Sequence, residues 1–72
     1  MEQFAARLKQ LRAQKKQKQT DMAKFLSCTP RHYQDIEYGK INIPSLDLIA
    51  LADYFDVSLD YLCGRSDERR RR

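Results

Sequence analysis

Apolar residues fall in short bursts at helical spacing along this 72-residue chain. Phe4, Leu8 and Leu11 recur at i, i+4 and i+7, with Ala5 and Arg12 beside them, and predict a first helix over about residues 2–15. Lys15-Lys16-Gln17-Lys18 holds no apolar residue and reads as a connection. Met22, Ala23 and Leu26 predict a second helix over Gln19–Leu26, broken by Ser27-Cys28-Thr29. Thr29 is a good N-cap, Pro30 suits the first helical position, and Gly39 suits the residue after a helix end, so a third helix is expected over Pro30–Tyr38. Lys40–Pro44 is a loop. Ser45 is expected to cap a fourth helix with Asp47 in its first turn and Leu48, Leu51, Ala52 and Phe55 on its inner face. Ser58 caps a short fifth helix, Leu59–Cys63, closed by Gly64. Residues 65–72 hold no apolar anchor and are expected to form a basic, frayed tail behind a single domain over 1–64.

Composition agrees with an all-α fold. Two Gly, two Pro and few β-branched residues favour helices over sheet. A chain this short buries only about 60% of the surface it exposes when unfolded, so modest stability is expected. Nothing at the N-terminus resembles a signal peptide, and no apolar stretch approaches the roughly 20 residues a bilayer requires. Cys28 and Cys63 form no CxxC, and the reading is a cytoplasmic protein with free thiols.

The net charge of +4 is unevenly spread. Residues 1–40 hold nine Lys/Arg against four Asp/Glu, whereas residues 41–64 hold four Asp (47, 53, 56 and 60) and no Lys or Arg. Residues 65–72 hold five Arg against Asp67 and Glu68. One end of the molecule is basic and the other acidic, which suits docking on a polyanion through the first half. An unevenly charged solvated surface is the plainer reading of the same numbers.

The central pair of helices carries the candidate chemistry. On a helical wheel Tyr33 and Ile36 of the third helix point inward with Glu37 at their edge, while Arg31, Gln34, Asp35 and Tyr38 point the other way. Arg can donate two bonds to guanine, Gln can pair with adenine, and Asp can accept from the cytosine amine. Two helices of about eight residues joined by a three-residue turn suit presentation of the second in the major groove of DNA. By itself such a face is equally an ordinary solvent face.

The run Gln19-Thr20-Asp21-Met22-Ala23-Lys24-Phe25-Leu26, then Ser27-Cys28-Thr29, Tyr33, Ile36-Glu37 and Gly39-Lys40, resembles the Cro/C1-type (XRE) helix-turn-helix family. Residues 48–64 are similar to that family's fourth and fifth helices, so the likeness covers about residues 4–64. The resemblance implies a compact, five-helix, lambda-repressor-like domain that binds double-stranded DNA. It implies base reading by Pro30, Arg31, Gln34 and Asp35. It implies phosphate contacts from Gln19, Lys40 and Asn42, to which Lys18, His32 and Tyr38 are added by position and chemistry. Arg12 and Glu37 match a family pair that forms an internal salt bridge. Relatives often dimerise through the last helix, which makes Leu59, Tyr61 and Leu62 interface candidates.

Some positions depart from the family pattern. Ser27 stands where Gly is usual in the turn, and a left-handed backbone there costs roughly 1 kcal/mol. Lys18 replaces the usual Ser/Thr cap, leaving the second helix uncapped or capped through Thr20. Pro30 offers a thymine methyl only apolar contact. Asp35 faces a base, pairs with Arg31 at i,i+4, or marks a weakened contact, and the pair is favoured in the free protein.

No cofactor, metal or small-molecule ligand is implied. Cys28 and His32 lie four apart, Cys63 is distant, and a zinc site needs about four ligands. Packing in the turn is the default for Cys28, with redox sensing the alternative. Phe25 and Tyr54 read as core or interface. The terminal arginines add phosphate affinity, or are a solvated tail or the remnant of a longer chain. There is no nucleophile–base or carboxylate pair at a useful spacing, so an enzyme is not expected. Two readings stay open: a sequence-specific regulator, acting as a homodimer on a palindromic site and most simply a repressor, or an antitoxin-like protein-interaction module of the same fold.

Overall fold

The computed structural model of the protein describes residues 2–70. Among them the chain forms five helices, α1 (Glu2–Gln14), α2 (Gln19–Phe25), α3 (Pro30–Glu37), α4 (Ser45–Phe55) and α5 (Leu59–Leu62), and no strand. Arg71 and Arg72 of the expected tail lie outside the described residues. The caps at Thr29 and Ser58 form as expected: Thr29 Oγ1 accepts from His32 N at 3.1 Å and Ser58 Oγ accepts from Tyr61 N at 3.0 Å.

One cap differs from expectation, and a second keeps the first of its two alternatives, a helix with no side-chain cap from the residue before it. Ser45 does not cap α4; it is the first helical residue, and Pro44 occupies the cap position. Pro44 is extended (φ −61°, ψ 152°), and its carbonyl accepts from Asp47 N and Leu48 N, starting the helical ladder one residue early. At the start of α2 neither Lys18 nor Thr20 supplies the cap. Asp21 reaches back instead, its Oδ2 accepting from Lys18 N at 3.0 Å, which also places a carboxylate in the positively polarised first turn.

The core is one cluster built from all five helices and the loop residues Ile43 and Val57. Phe4, Leu8 and Leu11 of α1, Met22 and Ala23 of α2, Tyr33 and Ile36 of α3, Leu51 and Ala52 of α4, and Tyr61 and Leu62 of α5 are buried. Leu48 and Phe55 of the expected inner face of α4 are half-buried against it. Helix α2 packs on α3 and α4 packs on α5, while α1 packs on both α3 and α5 and so joins the two halves. The outcome is a unit of 31 × 22 × 20 Å.

All five helices end the same way. After each, a residue with positive φ turns the chain: Lys16 (58°), Ser27 (57°), Gly39 (76°), Asp56 (54°) and Gly64 (83°). The following N–H then reaches back to a carbonyl of the last turn, as from Gln17 to Arg12, Cys28 to Ala23, Lys40 to Asp35, Val57 to Ala52 and Arg65 to Asp60. Ser27 therefore does adopt the left-handed conformation, and its β-carbon strain is tolerated because these backbone bonds hold the turn. A β-carbon at Gly64 would collide with the side chain of Gln3.

Residues 65–70 lack an apolar anchor but have polar ones. Arg7 donates to the carbonyls of Tyr61 and Ser66 and pairs with Asp67 at 2.9 Å. Ser58 N donates to Arg69 O, Ser58 Oγ to Glu68 O, and the Arg69 guanidinium lies over Tyr61 and bonds Gln14. Apolar patterning is blind to such ties.

Ser27 is exposed, and relief of its strained backbone sets a clear expectation. Ser27→Gly should stabilise the domain by about 0.5–1 kcal/mol, because glycine removes the left-handed penalty but adds unfolded-state entropy. Thermal melting checks this, with a rise of about 4–8 °C per kcal/mol for a domain of this size.

Candidate nucleic-acid interface

Helix α3 has one face inside and one outside. Tyr33, Ile36 and Glu37 are buried, whereas Arg31 and Tyr38 at the helix end are exposed and Gln34 and Asp35 are half-buried. What sets this rotation is the Glu37 carboxylate, whose side chain has no exposed surface, against 16% for Arg12. Arg12 Nε donates to Glu37 Oε2 at 2.8 Å and a terminal nitrogen donates to Oε1 at 2.9 Å, a two-bond fork. The other terminal nitrogen of Arg12 bonds Gln17 O at 2.9 Å, tying the α1–α2 connection to the same group. The structural role expected for Arg12 and Glu37 matches this geometry, although Glu37 is well inside and not at the edge.

Burial alone would raise the carboxyl pKa of Glu37, but the hydrogen bonds and charge of Arg12, with the polar groups of Tyr33 and Gln19 beside it, outweigh burial and hold Glu37 below its ordinary value. Arg12 is raised in turn, chiefly by its bonds to Glu37. Tyr33 is buried beside the pair, and burial pushes its phenol far above the usual range, so it stays neutral. Its hydroxyl forms no hydrogen bond of ordinary geometry. Gln19 is also drawn in, its Nε2 donating to Glu37 Oε1 at 3.3 Å. The residue expected to hold a phosphate thus joins α2 to the ion pair as well.

On the outer face the polar residues pair among themselves. Arg31 Nε lies 3.6 Å from Asp35 Oδ1, one turn along the helix. Gln34 Nε2 donates to the Tyr38 hydroxyl at 3.2 Å, again at i,i+4. The Lys40 ammonium sits 5.8 Å from the centre of the Tyr38 ring. Pro30 and His32 are exposed in the first turn, as are Lys18 before α2 and Lys40 and Asn42 after α3. The Gln34–Tyr38 contact has the same i,i+4 spacing as the Arg31–Asp35 pair.

The expected interface residues of α5 separate. Tyr61 and Leu62 are taken up by the chain's own core, because a one-turn helix has no second face to spare once α1 packs on it; of the three only Leu59 is left exposed. Helix α4 adds two exposed apolar residues that were not anticipated, Leu46 (79%) and Ile49 (45%), and its wheel, with Leu51 and Ala52 inward, carried the signal. Phe25 and Tyr54 stack at 4.7 Å, with Lys15 over the Tyr54 ring. Burial raises the pKa of both cysteine thiols, which fits packing better than thiolate reactivity. Among the described residues no His/Cys/Asp/Glu group could hold a metal, and no helix is long and apolar enough to cross a membrane.

Comparison with known proteins agrees with this geometry. The family model described as helix-turn-helix matches residues 8–62. An uncharacterized HTH-type transcriptional regulator of Bacillus subtilis (strain 168), YqaE, is 40% identical over 67 residues, which cover 92% of this chain and 58% of that protein. The chain therefore spans a little over half the length of this relative. No solved structure matches. The chain belongs to the helix-turn-helix family.

Removing one partner of a buried ion pair costs about 3–5 kcal/mol, a large share of the roughly 4–11 kcal/mol expected for a domain of this length. Arg12→Ala should therefore be largely unfolded or melt far lower, read by circular dichroism. The carboxyl of Glu37 is lowered on folding, so its contribution is complete above the unfolded value of 4.5 and fades as pH falls through the depressed folded value. Melting temperature should thus drop below about pH 4.5, and Glu37→Gln, less stable at pH 7, should lose that part of the acid dependence.

Proposed function

We propose that this chain is a cytoplasmic, sequence-specific transcriptional regulator, most simply a repressor. It places α3 in the major groove of double-stranded DNA, as a homodimer on a palindromic operator. The observation that carries the reading is the two-sidedness of α3. Glu37, Tyr33 and Ile36 fix its inner face, and Arg31 and Gln34 are left on the outer face with the chemistry to read guanine and adenine. Pro30 and Asp35 flank them. Lys18, Gln19, His32, Tyr38, Lys40 and Asn42 would position the phosphate backbone, which carries no sequence information itself.

One α3 covers only a few base pairs, so selectivity calls for two copies with half-sites about 34 Å apart. The exposed Leu46, Ile49 and Leu59 fit a contact between protein chains. The same residues favour the second reading, an antitoxin-like interaction module whose DNA contact is secondary.

Selection of bound sites from a random duplex pool, followed by titration across salt, separates the two. A regulator shows a steep salt slope and preference far above its non-specific binding; absence of DNA binding at low salt would sink the reading. Arg31→Ala should cost about 1–3 kcal/mol on the selected site and relax preference at one base pair. Lys40→Ala should weaken all sequences alike and reduce the salt slope by about 1. Unchanged binding of every site by Arg31→Ala would show that α3 does not read through it.

A further inference from the structure

The outer face of α3 is built from two i,i+4 pairs, and their atoms divide the work. Arg31 meets Asp35 through Nε, the inner nitrogen of its guanidinium. That leaves both terminal nitrogens free at the tip, the fork that matches O6 and N7 of guanine. Gln34 is arranged alike. One hydrogen of its Nε2 goes to the Tyr38 hydroxyl, which leaves the other hydrogen and Oε1 for N7 and the N6 amine of adenine. Both holding residues lie one turn closer to the C-terminus, and Asp35 is half-buried while Arg31 is 80% exposed. The anchored member is thus the carboxylate, and the free-swinging one is the arginine.

We propose that α3 reads DNA through Arg31 and Gln34, and that Asp35 and Tyr38 are positioning residues that hold those two side chains in base-reading orientation. This rests on the DNA-reading role given above and reassigns Asp35, which otherwise stands as a direct reader, and Tyr38, which otherwise stands as a phosphate contact. Asp35 also has a reason to be there despite its charge. An aspartate facing DNA is repelled by phosphate, and the repulsion is offset if it fixes a long side chain that would otherwise lose rotamer freedom on binding. At 3.6 Å the free-state pair is loose and exposed, worth little by itself. It matters in the complex, where water is displaced from around it.

The test uses the selected duplex and its single-base-pair variants, with wild-type protein, Asp35→Asn, Tyr38→Phe, Arg31→Ala and the double variant Arg31→Ala/Asp35→Asn. All are outer-face changes, and melting curves verify folding. Asp35→Asn should lower discrimination roughly tenfold at the base pair that Arg31→Ala relaxes, and at no other, while raising affinity for random duplex as a negative charge is lost. In the Arg31→Ala background the same substitution should change no base preference. Tyr38→Phe should relax the base pair read by Gln34, with random-duplex affinity held.

Asp35→Asn discriminating as wild type overturns the proposal. So does Asp35→Asn altering preference without Arg31, which would make Asp35 a reader in its own right. Tyr38→Phe weakening every sequence equally would return Tyr38 to phosphate binding. Wild-type protein with no base preference at all would bring down the regulator reading itself, a result distinct from each of these.

Discussion

A carboxylate with no exposed surface, Glu37, sits at the meeting point of three helices, and the rest of the domain is arranged around keeping it charged. It needs Arg12 from α1, accepts from Gln19 of α2, and belongs to α3. Apolar packing supplies most of the stability of such a core, but it is tolerant of small rotations. A two-bond fork is not tolerant. With Glu37 pinned, Ile36 and Tyr33 have one place to go, and the opposite side of α3 is aimed with an accuracy that leucines alone would not impose. The cost is dependence: the core keeps its charge only while all three helices stay together.

The division between halves follows from this. Basic residues gather in the first forty positions, where α2 and α3 are, and aspartates gather in the segment that makes α4 and α5. Arg7 and Arg12 are exceptions in kind, cations in the basic half that are engaged internally. The outer residues of α3 are paired before any ligand arrives, so binding would exchange or tighten contacts and not assemble them from disordered side chains.

Much of the architecture was visible in the sequence. Thr29-Pro30 and Gly39 bracket α3 because cap and turn chemistry is local, and the α1 stripe of Phe4, Leu8 and Leu11 is buried as its spacing required. What was missed depended on groups far apart in the chain or on ambiguous local chemistry. Pro44 and Ser45 are both acceptable at a helix start, and only the ladder shows which carbonyl begins it. The cap at Asp21 is a bond from inside the helix back to Lys18 N, and it exists only once the first turn has closed. Tyr61 and Leu62 look like interface residues until α1 is seen packed across α5. Glu37 lies 2.8 Å from Arg12, and a wheel that places it at the edge of the apolar arc cannot show that Arg12 draws it inside.

The polar ties of residues 65–70 bear on where the folded unit stops. The family match ends at residue 62. Helix α5, a single turn, has its entry at Ser58 bonded to Arg69 and Glu68, and its last turn held by Arg7, which also grips Ser66 and Asp67. A fragment ended at residue 62 would keep every core residue and still lose the clasp on its shortest helix. The boundary drawn by homology and the boundary drawn by hydrogen bonds are therefore different places in this chain, and the second is the one to respect when the domain is cut out or fused.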